Sequence, residues 1–160
     1  MSAKINDPNK IKWFERKEPL KGENLVILKK IPFLLPKSFI DLLRISDGGE
    51  VDYNFSYYDE AFRDTIGSGI SIIYGLGEDP YKYDLINAYN NPPEFFPKGL
   101  VPFGAPANSD RICFDYRRDP KTDNPPIVYW CAGSSEGEDV SFLANNFDEF
   151  LQMLKAPEEE

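Results

Sequence analysis

The chain has no histidine among its 160 residues. Without an imidazole there is neither a Ser-His-Asp triad nor a Cys-His nucleophile pair. Cysteine is nearly as scarce, with only Cys113 and Cys131, both inside apolar, strand-like runs. Two sulfurs and no imidazole fall short of a zinc site. In a reducing compartment they read as small buried hydrophobes and not as a disulfide. No apolar run approaches the roughly 18 residues of a membrane-spanning helix. The opening MSAKINDPNKIKWFERKEPL is polar and lacks an apolar core, so no secretory signal is expected. A phosphate-binding loop is missing too. Gly67-Ser68-Gly69 and Gly75-Leu76-Gly77 fail the dinucleotide spacing, because Ile72 and Pro80 stand where a third glycine would be needed. Both are read as strand ends and turns. The expectation is a soluble, cytoplasmic protein with no metal, no cofactor and no membrane segment.

Positive charge is in short supply as well. There are 18 basic against 27 acidic residues, net −9 with a pI near 4.6. Lysine and arginine are scattered, with short clusters only at Lys29-Lys30 and Arg117-Arg118. A phosphate backbone would be repelled, so direct nucleic-acid binding is not expected. A basic protein partner is compatible with this charge, which would speed the encounter. Apolar residues are plentiful at 41%, and aromatics at 14% exclude a disordered composition. A chain of this length can bury about two thirds of its unfolded surface, enough for one ordinary core. No repeat or linker divides it, so residues 1–160 are read as one domain with a core at about 20–154. Residues 155–160 are read as a frayed acidic tail.

Helical patterns stand at the two ends of the chain. Residues 1–20 read as an irregular lead-in with Ile11, Trp13 and Phe14 as anchors, and 20–33 as a short amphipathic helix closed by Pro32. In LPKSFIDLLRISDGGE (35–50), Pro36 suits a first helical position. Phe39, Leu42 and Leu43 then share one face of a 3.6-residue period over about 36–46. Asp47-Gly48-Gly49 is read as a structural turn, since glycine enters the left-handed region past a helix end without a Cβ penalty. In NNFDEFLQMLKAP, Phe147, Phe150, Leu151 and Leu154 form a second such stripe. Asn146 and Glu149 stand close to capping-box spacing.

Between these ends the period shortens to two. NFSYY (54–58) and ISIIYGL (70–76) are aromatic and β-branched, as strands prefer. Residues 79–93 interrupt them with a helical pattern, for which Asp79 and Pro80 supply the start. EFFPKGLVPFG returns to extended chain. RICFDYR (111–117) alternates Ile112, Phe114 and Tyr116 on one face. PIVYWCA (126–132) is apolar on both faces, as a central strand is. The turn-rich loop between them predicts a hairpin, and DVSFLA (139–144) one more strand. Strands that run together without alternating helices predict an α+β fold, its mostly antiparallel sheet packed with N-terminal and C-terminal helices.

Carboxylates can do acid–base work without histidine. Glu78/Asp79, Asp110/Asp115 and Glu136/Glu138/Asp139 are the candidate groups. The first pair adjoins a helix start, where capping explains it. A deep pocket lined by two or more of Asp110, Asp115 and Glu136 would be needed for catalysis. Trp130 sits next to the polar loop GSSEGED (133–139). Core packing is its ordinary role, but an aromatic beside acids is also the composition of a binding hot spot. Trp130, Glu136, Glu138 and Asp139 are therefore the candidate partner-binding residues.

Taken in order, these segments resemble the SUKH superfamily. Leu35-Pro36, the helix with Phe39, Leu42 and Leu43, and Gly48-Gly49 match its N-terminal signature, with Asp47 in place of the usual Asn. GLVPFG, RICFDYR, IVYW and Asn146-Phe147-Asp148-Glu149-Phe150-Leu151 look like its C-terminal half. The likeness runs over about 20–154. Two segments depart from it: Ala107-Asn108-Ser109-Asp110 replaces a Gly-rich turn, and Trp130-Cys131-Ala132 replaces an acidic or histidine-bearing stretch. The resemblance implies an α+β domain that binds and does not catalyse. It further implies an immunity protein that neutralises a cognate bacterial toxin, such as a nuclease. The alternative it allows is a general protein-interaction regulator with no toxin partner.

Overall fold

A computed structural model describes residues 4–22, 30–77 and 84–157. Seven strands form one antiparallel sheet in chain order: β1 (Glu15–Arg16), β2 (Gly49–Asp59), β3 (Asp64–Ile73), β4 (Leu100–Ala105), β5 (Arg111–Asp115), β6 (Ile127–Trp130) and β7 (Val140–Ala144). Among the described residues, three short α-helices accompany them: α1 (Lys37–Leu43), α2 (Leu85–Asn90) and α3 (Phe147–Met153). The α+β fold expected from the sequence is the one found. The expected helix at 20–33 and the capping role of Asp79 fall largely outside the described residues.

Several boundaries differ from expectation, each for a local reason. Pro36 is the N-cap of α1 and not its first helical residue, with extended backbone at ψ 141°. Asp84 caps α2, accepting from the amides of Ile86 and Asn87. Gly67-Ser68-Gly69 is not a turn but lies inside β3. A Cβ on Gly69 would stand 2.8 Å from the Tyr53 carbonyl oxygen, so the close approach of β2 explains this glycine. Phe14 is no anchor, being 75% exposed, whereas Ile11 is buried. In α3, Asn146 Oδ1 accepts from the Glu149 amide as expected, and the Glu149 carboxylate reaches back to the Asn145 amide.

Strand alternation puts two apolar layers on opposite faces of the sheet. On one face Ile112, Phe114, Ile127 and Tyr129 join Val101 and Phe103 under the helices. Phe39 of α1 meets Phe103, Phe114 and Phe147 edge-to-face at 5.7, 5.1 and 5.4 Å. On the other face Leu100, Cys113, Val128 and Trp130 form a small second cluster. Phe96, Ala132 and Val140 pack against that cluster.

The turn after α1 packs against the end of β3. Gly48 has φ +84°, and a Cβ there would lie 2.6 Å from the Gly75 amide nitrogen. A Cβ on Gly75 would overlap the Asp47 carbonyl oxygen. The Asp47 carboxylate accepts from the amides of Leu76 (2.8 Å) and Gly77 (3.0 Å) just beyond β3. Ser46 Oγ accepts from the Lys17 amide and donates to the Gly48 carbonyl. Asp47-Gly48-Gly49 thus follows the end of α1 and also clamps the exit of β3.

At the far end the sheet curls, so that the β2–β3 hairpin meets β6 and β7. The rings of Tyr57 and Tyr129 stack at 4.7 Å. Tyr57 donates to buried Asp59, whose other oxygen accepts from the amides of Ala61 and Phe62. Ser68 donates to the Tyr129 hydroxyl, which donates to Asp110. The Glu60 amide donates to Ser141 Oγ. Burial, then the neighbouring phenol and carboxylate, push the Tyr57 hydroxyl well above the usual phenol range. Burial and the Asp110 bond do the same for Tyr129, and burial alone does so for Tyr116.

Two tests follow from these contacts. Asp47→Ala removes two amide bonds to a charged acceptor and is expected to cost about 2–3 kcal/mol in denaturant unfolding. Asp47→Asn keeps one acceptor oxygen and should lose roughly half as much. An Ala variant as stable as the parent would refute the clamp. The raised phenols mean that the unfolded chain releases these protons first as pH rises. Their stabilising contribution is whole below about pH 10 and declines as pH climbs beyond it. In an ultraviolet phenolate titration, Tyr57, Tyr116 and Tyr129 should ionise only as the protein unfolds. Ionisation of all nine tyrosines near pH 10 with the fold intact would contradict this.

Candidate functional site

The second apolar face of the sheet carries a groove of about 1300 Å³. Residues 93–97, which lead into β4, form one wall, and residues 132–137, after β6, form the other. Trp130, Val140, Asp139 and Arg117 complete the lining. Local chemistry explains both walls. Pro92, Pro93 and Pro97 deny the first segment helix or ladder bonding. Gly133 and Gly137 take φ of +83° and +90° in the second, with open space where a Cβ would stand.

Trp130 belongs to the floor. It is 5% exposed, and its ring meets Phe96 edge-to-face at 5.0 Å. It packs with Leu100, Cys113 and Val128 in the second apolar cluster. Trp130 Nε1 donates to Asp139 Oδ2 at 3.3 Å, and the Cys131 amide donates to the Asp139 carbonyl at 2.8 Å. Asp139 thereby pins the loop onto the end of β6. Glu136 lines the groove from the loop, but exposed Glu138 does not, its amide closing a turn onto the Ser135 carbonyl. Of the four expected partner-binding residues, three therefore come together and Glu138 stands outside.

The sequence reading passed over Glu94, Phe95 and Phe96 as extended chain. Phe95 is 86% exposed, with φ +66°. That conformation is rare for a bulky side chain. Two adjacent phenylalanines between prolines, in a segment with neither helical nor strand period, were the available signal. Among the described residues, Glu94 and Glu136 make no ion pair. Arg117, a cation beside these acids, is held by Asp115 through Nε and a terminal nitrogen, both at 3.0 Å. That bond keeps its guanidinium above the usual range.

The catalytic candidates are dispersed. Asp110 accepts from Tyr129 and from the Ala132 amide, Asp115 is paired with Arg117, and only Glu136 of the three lines the groove. Burial pushes the Cys113 thiol far above its usual range and, with less effect, raises that of Cys131. Both cysteines are free. Among the described residues no group of acids and thiols is arranged to hold a metal ion, and no helix is long and apolar enough to cross a membrane.

No curated protein and no solved structure matches the chain. The model of the SMI1 / KNR4 family (SUKH-1) matches residues 25–153, close to the span over which the motifs run. That match takes in α1 with its Asp47 turn, strands β2 to β7 and all of α3, so the chain belongs to the SMI1 / KNR4 family, SUKH-1.

Proposed function

We propose that this protein is an immunity-type binding domain that captures and neutralises a basic toxin domain, such as a nuclease. Domains of this family generally bind partner proteins and are generally non-catalytic. The observation that carries the reading is the groove: an apolar floor of Phe96, Trp130 and Val140 beneath Glu94 and Glu136, neither of which forms an ion pair among the described residues. Apolar anchors ringed by polar groups are the anatomy of a protein-binding patch. On a surface of net charge −9, such a patch favours a basic partner. Trp130 supports the floor from below, Asp139 holds the loop, and Glu136 and Glu138 supply charge to the approaching partner. The second reading, a regulator with no toxin partner, shares this groove and differs only in what fills it.

Co-expression with the product of the adjacent gene tests the reading. The expected result is a one-to-one complex in which the partner's toxicity is lost. Raising ionic strength from about 0.05 M to about 0.5 M should slow association by about tenfold or more. Reversing charge at Glu136, Glu138 and Asp139 together should slow it comparably at low salt. Association indifferent to both would remove the electrostatic mechanism. Recovery of non-toxic partners alone would transfer the weight to the regulator.

A further inference from the structure

The groove is selective about the kind of cation it suits. Its floor is apolar, and the exposed Phe95 lies in one wall. Glu94 lies on one wall and Glu136 on the other, neither in an ion pair among the described residues. Asp139 Oδ2 accepts from the Trp130 indole. Arg117 cannot neutralise these acids fully while Asp115 holds it with two bonds. A ligand group that is apolar on its faces and cationic at its edge satisfies all of this at once. The guanidinium has that form: it stacks on aromatic rings and donates in a planar fork to carboxylates. An ammonium group is a compact, strongly hydrated charge that matches the acids but not the floor.

We infer that the groove receives an arginine side chain of the basic partner, its guanidinium against the Phe95 ring and its N–H edge turned to Glu94 and Glu136. This rests on the protein-binding reading of the same site and adds what the partner must present there. The partner's arginine enters from outside the sheet, so no strand need move. Phe95 then serves as a stacking platform, which accounts for an aromatic ring held in the open.

The test is a titration of the isotope-labelled protein, followed by amide and indole resonances, with a tetra-arginine and a tetra-lysine peptide. The arginine peptide should shift residues 94–96, residues 133–137 and the Trp130 indole N–H. It should bind about threefold or more tighter than the lysine peptide. Phe95→Ala should abolish that preference while leaving weak, salt-sensitive binding of both. Glu94→Gln with Glu136→Gln should weaken the arginine peptide by about tenfold. These side chains lie at the groove surface and outside the main core, and an unchanged amide spectrum confirms that each variant is folded. Equal affinity for the two peptides, shifts scattered over the surface, or a preference that survives Phe95→Ala would overturn the inference. A toxic partner captured equally well by the Phe95→Ala protein would also remove the arginine assignment, while leaving the immunity reading intact. Selective arginine binding with no toxic partner recovered would do the opposite.

Discussion

Asp47-Gly48 meets Gly75 backbone to backbone, and much of the fold depends on that contact. Neither glycine has room for a Cβ, so the exit of α1 and the exit of β3 touch main chain to main chain. The Asp47 carboxylate then fills the amides of Leu76 and Gly77, which the turn leaves without ladder partners. From this point β2 departs at Gly49 with its register set, placing Val51, Tyr53, Phe55 and Tyr57 alternately inward. With β3 held, Ile72 and Ile73 meet Ala105 and Gly104, and β4 to β7 extend the sheet from there.

What was legible in the sequence is what depends on period and caps. The stripe of Phe39, Leu42 and Leu43, the alternation of Ile112, Phe114 and Tyr116, and the Asn146 cap all report local chemistry that tertiary packing reinforces. What was not legible depends on contact between distant segments. Gly67 and Gly69 look like turn residues until Tyr53 is seen to crowd one of them from the next strand. Nothing local says that Asp47 reaches Leu76. The length of β2 and β3 was underread because charged and small residues at their ends interrupt the aromatic run.

The candidate site divides in the same way. The acidic loop was visible as composition, and Trp130 as an oddity beside it. That Trp130 lies under the groove, with Asp139 bonded to its indole, follows from the pairing of Trp130 with Val140 across β6 and β7. The opposite wall comes from about 40 residues earlier in the chain, and Glu94 and Phe95 reach the site only because β4 pairs with β5, and β5 with β6. Glu138 was grouped with Glu136 on sequence proximity alone, and the turn onto Ser135 carries it away.

Both walls of the groove are connections that supply no strand to the sheet. Glu94, Phe95, Gly133, Ser135, Glu136 and Gly137 are all exposed, whereas the residues that fix the fold are buried beneath them or lie at the Asp47 turn. On the proposed reading, recognition and folding are written in separate sets of positions. Changes at the walls can alter which partner is accepted without passing through a misfolded intermediate, as scaffolded binding loops permit. On the proposed reading, a lineage carrying this sheet could follow a changing partner by varying the wall positions while its core stood still.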